Sequence, residues 1–246
     1  MPSDPNRSGL LKHREQSHAP VSGKLRPGYR ESAMAKILSV VSRAGVARIV
    51  DPVAAALLRA GVTPNVVTVA GTVGVLVGAF GFATRGYLFA ALVIITLSCF
   101  TDLIDGSMAR QRGITNKFGA LLDSSMDRIA DGAIFASVAY YYASGHELRP
   151  VAAALLCLIT GQVVSYVKAR AEGLGFTCNV GIIERAERLI GIGIGGLLWK
   201  FGVPYGLESV MWLLAALSIV TIAQRIGTVY RQAHASGRPS EQVDAR

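Results

Sequence analysis

The sequence is poor in the residues that build most transition-metal sites and disulfide frameworks. Among its 246 residues there are three cysteines and four histidines. The cysteines are odd in number and show no CxxC spacing, and the histidines lie far apart along the chain. Neither a disulfide framework nor a zinc site is therefore indicated. The first 33 residues also lack the apolar run that a cleavable signal peptide requires.

Charged residues are scarce as well. They make up 17% of the chain, whereas 51% is hydrophobic and the mean hydropathy is +0.42. This balance is too apolar for an ordinary soluble domain and favours a membrane protein. The net charge of +9 occurs beside long apolar runs, so it indicates contact with an anionic bilayer surface. We expect no nucleic-acid partner.

The chain divides into a polar beginning, an apolar middle and a short polar end. We expect residues 1–33 to form a disordered cytoplasmic tail. In residues 34–60, apolar side chains alternate with cations, which predicts an amphipathic helix lying in the membrane interface. The predicted membrane domain covers residues 34–230, and residues 231–246 form a polar C-terminal tail.

Six apolar runs in this domain each approach the ~20 residues that a membrane-spanning helix needs. They cover residues 66–83, 87–107, 118–142, 150–170, 187–202 and 209–228. The sequence therefore predicts an all-α integral membrane protein with six transmembrane helices after one interfacial helix. Arg85, Arg149 and Lys200 are the only cations near the predicted outer connections, so we expect both termini in the cytoplasm.

Four aspartates lie at helical spacing in the second and third apolar runs. Asp102 and Asp105 are three positions apart and Asp123 and Asp127 four, so each pair shares a helix face. The short basic connection 110–117 makes the two helices antiparallel and lets all four carboxylates converge. Clustered carboxylates repel one another unless cations neutralise them, and oxygen ligands favour hard ions. A magnesium or manganese site is predicted.

The aspartates belong to a pattern of eight fixed positions, D-x2-D-G-x2-A-R-x8-G-x3-D-x3-D. The positions are Asp102, Asp105, Gly106, Ala109, Arg110, Gly119, Asp123 and Asp127. This pattern is identified as the signature of the CDP-alcohol phosphotransferases. The resemblance implies that the four aspartates bind two metal ions, expected to be Mg2+ with Mn2+ as an alternative, which hold the CDP diphosphate. It also implies that Asp127 removes the proton of the acceptor hydroxyl.

Small and basic residues of the signature indicate where the nucleotide lipid binds. Gly106 and Gly119 allow a diphosphate to approach the helix backbone, and Ala109 is small for the same reason. Arg110 offers a guanidinium fork to phosphate. The resemblance adds to the predicted donor contacts Val62, Thr63, Pro64, Asn65 and Asn116.

Cations at the cytoplasmic ends of later helices indicate the acceptor. Lys168, Arg170, Arg188 and Arg225 come from three different predicted helices on the side of the aspartates, and together could bind a phosphate dianion. The segments SYVKARAE, IERAERL and AQRIGTV resemble the phosphatidylinositol phosphate synthases of actinobacteria. This resemblance implies CDP-diacylglycerol as donor, inositol phosphate as acceptor, release of CMP and a homodimer in the cell membrane. It adds Ser165 to the acceptor pocket.

Two alternatives remain open from the sequence. Phosphatidylglycerophosphate synthases have the same signature and also use a phosphorylated acceptor, glycerol 3-phosphate. Buried aspartates also occur in divalent-cation transporters, although no internal repeat supports that class here. Asp131 lies one turn beyond Asp127, and we expect it to pair with Arg128 or with a cation of another helix.

Overall fold

The computed structural model describes residues 47–113 and 117–236, and all regular structure within these ranges is helical. The helices are α1 (residues 47–59), α2 (Pro64–Leu76), α3 (Leu88–Cys99), α4 (Thr101–Arg112), α5 (Lys117–Ser144), α6 (Leu148–Gly173), α7 (Arg185–Lys200) and α8 (Gly206–Ser236). A π-helical turn, Val77–Phe82, and a 3-10 turn, Ala83–Arg85, continue α2. The predicted all-α class is confirmed for these residues. The predicted tail 1–33, the first part of the helix predicted at 34–60, Asn116 and residues 237–246 lie outside them.

Four helical stretches are long and apolar enough to cross a membrane. They are Pro64–Arg85, Leu88–Arg112, Leu148–Gly173 and Gly206–Ala235, and each contains one of the predicted apolar runs or most of it. The other two predicted runs form α5, which carries several charges in its first half, and α7, which has 16 residues. The chain is therefore a membrane protein with four clear candidate spans in its described part.

Two helix boundaries differ from the predicted ones. The run 87–107 is interrupted at Phe100, where the chain turns from α3 into α4. There the Thr101 hydroxyl donates to the Ser98 carbonyl oxygen at 2.6 Å, a local hydrogen bond of the kind that competes with regular helix. The last helix continues to Ser236, inside the segment predicted as a polar tail, because arginine, glutamine and alanine there also favour helix.

Small residues set the contact between α2 and the α3–α4 pair. A Cβ atom on Gly71 would overlap Thr101, and one on Gly74 would overlap Ser98. A Cβ atom on Gly78 would also be too close to a neighbouring side chain. These glycines therefore permit close helix approach, which lets α2 lie directly against α3 and against α4, the helix that carries the first two aspartates.

The remaining helices pack into one bundle. Helix α6 contacts both α5 and α8, and α7 contacts α8 and α3. The buried core between them consists of alanine, aliphatic and aromatic side chains, such as Ile134, Phe135, Ala154 and Met211. This packing gathers the ends of α2, α4, α5, α6 and α7 at one end of the bundle, where the charged residues lie.

Helix α1 is attached to the outside of this charged end. The Ser107 hydroxyl of α4 donates to Asp51 Oδ1 at 2.6 Å, and Ala54 packs with Val67 and Met108 in a small apolar cluster. The short chain between α1 and α2 is thereby held over the end of α4. Pro64 then starts α2, since a missing N–H costs nothing in a first helical turn.

Candidate active site

A cavity of about 970 Å³ opens between α2, α4 and α5. Its walls include Thr63, Pro64, Asn65, Thr68, Asp105, Gly106, Ala109, Arg110, Gly119 and Asp123. The predicted donor contacts thus lie together, apart from two residues. Val62 is not in the cavity wall, and its carbonyl oxygen accepts a hydrogen bond from Arg112 Nη2 at 3.5 Å. Asn116 lies outside the described residues.

Asp105 is the most deeply buried of the four signature aspartates, with 7% of its surface exposed. The hydroxyl of Thr68, one turn into α2, donates to Asp105 Oδ2 at 2.5 Å. A buried carboxylate needs such a partner, because an unsatisfied charge is costly away from water. Thr68 therefore holds one oxygen of Asp105 in place at the cavity wall.

Asp102 and Asp127 are joined by an arginine outside the signature. Arg185 Nη1 lies 2.7 Å from Asp102 Oδ2 and 2.7 Å from Asp127 Oδ1. Arg185 is the first residue of α7, and a capping box fixes the start of that helix. One guanidinium from α7 thus bridges the carboxylates of α4 and α5.

Asp131 extends this network away from the cavity. Its Oδ1 lies 3.3 Å from Arg185 Nε, and its Oδ2 lies 2.6 Å from Arg188 Nη2. The prediction that Asp131 pairs with a cation of another helix is confirmed. Arg188 is 2% exposed, and its Nε and Nη1 have no hydrogen-bond partner among the described residues.

The chemistry of the carboxylate cluster fits a hard divalent cation. Within residues 47–113 and 117–236, no three acidic, histidine or cysteine side chains converge on a single point. The guanidinium of Arg185 instead lies between Asp102 and Asp127, as a stand-in cation held by carboxylates of two helices. Asp105 and Asp123 line the same cavity, so carboxylates of α4 and α5 face one space. Oxygen-only donors of this kind suit Mg2+ or Mn2+.

Two predicted acceptor residues meet at a glutamate instead of at an open pocket. Lys168 Nζ lies 3.6 Å and Arg225 Nη2 2.5 Å from Glu184 Oε1. Arg225 is 2% exposed, and its other nitrogens donate to the carbonyl oxygens of Val180 and Val164 at 2.8 and 2.7 Å. Arg225 therefore fixes the connection between α6 and α7 onto α8, and a phosphate would have to compete with Glu184 for it.

The other predicted acceptor residues are spread over this end of the bundle. Ser165 lines a second cavity, of about 440 Å³, together with Arg128 and Gln162. Arg170 is exposed in the last turn of α6, whereas Arg188 is buried beside Asp131. The structure thus places all of these residues near the aspartates' end of the bundle without gathering them in one cavity.

Comparison with known proteins decides the family. Residues 61–223 match the description CDP-alcohol phosphatidyltransferase, which covers more than half of the chain. The chain belongs to the CDP-alcohol phosphatidyltransferase family. It is therefore a transferase, and the cation-transporter alternative is wrong.

Several members of the family are similar to this transferase over most of their length. A phosphatidylinositol phosphate synthase of Streptomyces avermitilis is 47% identical over 80% of this chain and 84% of its own. One of Mycobacterium tuberculosis is 45% identical over 78% and 91%, respectively. A crystal structure of the M. tuberculosis enzyme with CDP-DAG bound matches with a TM-score of 0.71 at 43% identity, over 74% of this chain and 94% of that one. Its complex with manganese and citrate matches with a TM-score of 0.70 at 43% identity, over 74% and 88%.

Three residues at the charged end of the bundle make contacts that were not predicted from the sequence. Thr68 lies one turn after Pro64 and could have been found from that helical spacing. Arg185 is part of the Glu-Arg pairs in IERAERL, but nothing in that segment indicates that it reaches Asp102. The sequence also did not indicate that Glu184 pairs with Lys168 and Arg225, although the segments around it are rich in cations.

Proposed function

We propose that this transferase is a phosphatidylinositol phosphate synthase. It moves the phosphatidyl group of CDP-diacylglycerol to inositol phosphate and releases CMP. The observation that carries the proposal is the cavity between α2, α4 and α5, whose walls combine signature residues with residues 63–65 at the start of α2. The similarity to relatives of this name supports the choice of acceptor.

The donor's diphosphate lies in the cavity along α4. A Cβ atom on Gly106 would meet only the guanidinium end of Arg110, at 3.5 Å, so the backbone is open to close approach there. Arg110 donates its planar fork to the phosphate oxygens. Ala109 and Gly119 keep the facing walls free of bulk.

Asp102, Asp105, Asp123 and Asp127 hold two Mg2+ ions, with Mn2+ as the alternative. When bound, these ions would offset the negative charge of the diphosphate and of CMP as it leaves. Thr68 keeps Asp105 oriented through its hydrogen bond at 2.5 Å.

Asp127 acts as the general base. The acceptor hydroxyl oxygen attacks the phosphorus that carries the diacylglycerol, the bond from that phosphorus to the CMP oxygen breaks, and the hydroxyl proton moves to Asp127. Its side chain is 18% exposed, and its Oδ2 lies 3.6 Å from Arg128. Its Oδ1 is 2.7 Å from Arg185, so Oδ2 is the oxygen that takes the proton.

The phosphate of the acceptor is bound by the cations around α7. Arg188 is the best-supported member of this set, because two of its buried nitrogens lack partners among the described residues. Lys168 and Arg225 compete with Glu184 for such a ligand. Ser165 and Arg170 complete the set.

The proposed arrangement in the membrane has six spans, with α5 and α7 added to the four candidate spans, and α1 in the interface. Residues 1–33 and 231–246 are polar and cytoplasmic, on either side of the membrane domain 34–230, and the first six residues of the second segment continue α8. Arg85, Arg149 and Lys200 lie at the ends of helices away from the aspartates, which supports a cytoplasmic active site. The protein is a homodimer in the cell membrane.

The proposal is tested with purified protein in detergent, CDP-diacylglycerol and Mg2+. Inositol phosphate, free inositol and glycerol 3-phosphate are supplied separately, and CMP release and the lipid product are followed. CMP release with inositol phosphate alone is expected. Release with glycerol 3-phosphate alone would make the protein a phosphatidylglycerophosphate synthase and would overturn the proposed acceptor site.

A further inference from the structure

Arg185 lies among the metal-binding aspartates without belonging to the signature. A single nitrogen, Nη1, is 2.7 Å from an oxygen of Asp102 and 2.7 Å from an oxygen of Asp127. The arginine side chain is 21% exposed and that of Asp127 18%, so solvent screens this contact only partly. It is therefore a stronger interaction than an ordinary surface ion pair.

This position is incompatible with a divalent cation between the same two oxygens. Mg2+ binds carboxylate oxygens at ~2.0–2.1 Å and repels other cations at such short range. The guanidinium nitrogen already contacts both oxygens that such an ion would use. A metal ion that binds through Asp102 Oδ2 and Asp127 Oδ1 thus requires the guanidinium to leave these two oxygens.

The guanidinium of Arg185 also contacts a further carboxylate, that of Asp131, which can hold it after it leaves Asp102 and Asp127. Arg185 Nε lies 3.3 Å from Asp131 Oδ1, and Asp131 is in turn held by Arg188 at 2.6 Å. Asp131 lies outside the signature and is 4% exposed. Release of Nη1 from the cluster therefore needs only a rotation of the arginine side chain, with no movement of α7.

We propose that Arg185 is an internal counter-cation for Asp102 and Asp127, that it competes with a divalent cation for Asp102 Oδ2 and Asp127 Oδ1, and that this competition lowers the metal affinity of the site. While it contacts both carboxylates it relieves their mutual repulsion, and when a divalent cation occupies those oxygens it rests on Asp131. This inference rests on the proposed function for the identity of the metal ligands. It makes Arg185 a positioning residue of the metal site.

The test is a titration of purified protein in detergent with Mn2+, in which free Mn2+ is measured by electron paramagnetic resonance. The variants are Arg185→Gln, Arg185→Lys and, as a matched control, Arg128→Gln. Arg128 also faces Asp127, but at 3.6 Å and with 31% of its side chain exposed. Its loss removes the same charge from the neighbourhood without removing the bridge.

Arg185→Gln is expected to bind Mn2+ roughly tenfold more tightly than the wild type, because no guanidinium then competes for the oxygens of Asp102 and Asp127. Arg128→Gln should change the affinity by less than about twofold, as expected for a partly exposed pair. Arg185→Lys should lie between the wild type and Arg185→Gln. Unchanged or weaker binding by Arg185→Gln would overturn the inference, as would equal tightening by Arg128→Gln.

Thermal unfolding gives a second measurement that does not depend on binding stoichiometry. In EDTA, Arg185→Gln should unfold at a lower temperature than the wild type. Added Mn2+ should raise the unfolding midpoint of the variant by more than it raises that of the wild type. A smaller rise than in the wild type would contradict the inference. The titration contains no acceptor, so its result does not depend on whether inositol phosphate is the true acceptor. If neither the wild type nor any variant binds Mn2+, the proposed metal site and this inference both fail.

Discussion

The chemistry of this protein depends on how a few carboxylates are paired. Asp105 is held by a hydroxyl of α2, Asp102 and Asp127 share one guanidinium of α7, and Asp131 joins two arginines of that helix. Each acid thus has a partner from another helix. The guanidinium groups of Arg185 and Arg188 offset the charges of the acids that they contact, and a hydroxyl satisfies one oxygen of Asp105, so these acids can lie together at one end of an apolar bundle.

Asp127→Asn should keep the fold and lose turnover. Asparagine preserves the shape of the side chain but cannot accept the acceptor's proton, so kcat should fall by about 10²–10⁴-fold. CMP release measures the effect. Glu172→Gln, which changes an exposed acid near the end of α6, is the control and should leave kcat unchanged. A fully active Asp127→Asn enzyme would exclude the base assignment.

Thr68→Val should weaken metal binding. Valine is close in shape to threonine but cannot donate to Asp105, and loss of such a supporting hydrogen bond costs roughly 10–100-fold in metal affinity or activity. Mn2+ titration measures the change. Thr72→Val is a matched control, since that buried hydroxyl donates only to the Thr68 carbonyl oxygen of its own helix. Equal effects of the two substitutions would rule out a role for the Thr68–Asp105 bond.

The sequence indicates which aspartates share a helix face, but it does not identify Thr68 and Arg185 as their partners. Spacing of three and four positions is enough to place two carboxylates on one helix face. The contact between Arg185 and Asp102 joins residues 83 positions apart, and no periodicity reports a contact at that range. Similarly, Arg225 was predicted to bind a ligand, whereas its nitrogens contact Val180, Val164 and Glu184.

At the scale of elements, the position of α2 decides where the cavity lies. The glycines of α2 bring it against Ser98 and Thr101, and its first residues form one wall of the cavity. The cavity therefore depends on close helix packing that is possible because glycine has no side chain.

Gly71→Ala should separate α2 from α4 and destabilise the protein. The added Cβ would overlap Thr101, and overpacking of this kind costs about 1–3 kcal/mol. Gly227→Ala on α8 is the control, because a Cβ there meets nothing within 4 Å, and alanine favours helix by up to about 1 kcal/mol. Thermal unfolding in detergent should thus shift in opposite directions. A neutral Gly71→Ala would show that α2 is not so closely packed.

Helix positions were predictable where apolar runs were long. The four candidate spans match runs that are visible in the sequence. The break at Phe100, beside the hydrogen bond between Thr101 and Ser98, was not predicted because it occurs within an apolar run. The extent of α8 was also missed, since polar residues that favour helix resemble a tail in composition.

At the scale of the whole molecule, the distribution of charge predicts the orientation. The aspartate cluster and most cations share one end of the bundle, while Leu148 begins α6 at the other end and is 76% exposed. Leu174, just after the last residue of α6, is 54% exposed at the charged end. These two positions therefore report opposite sides of the membrane.

A membrane-impermeant maleimide should label Leu148→Cys in intact cells and Leu174→Cys only after permeabilisation. The wild type is the control for background, because its Cys157 and Cys178 are buried and Cys99 is partly so. The reverse pattern would place the active site outside the cell. Labelling of both in intact cells would contradict a membrane-spanning α6.

The acceptor is the property of the whole molecule that matters most, and it is tested most directly by competition. Purified enzyme receives CDP-diacylglycerol, Mg2+ and equal concentrations of inositol phosphate and glycerol 3-phosphate, and the lipid products are separated by mass spectrometry. We predict that phosphatidylinositol phosphate is the dominant product and that its formation matches CMP release. Dominant phosphatidylglycerophosphate would contradict the proposed function, while leaving the family and its carboxylate site intact.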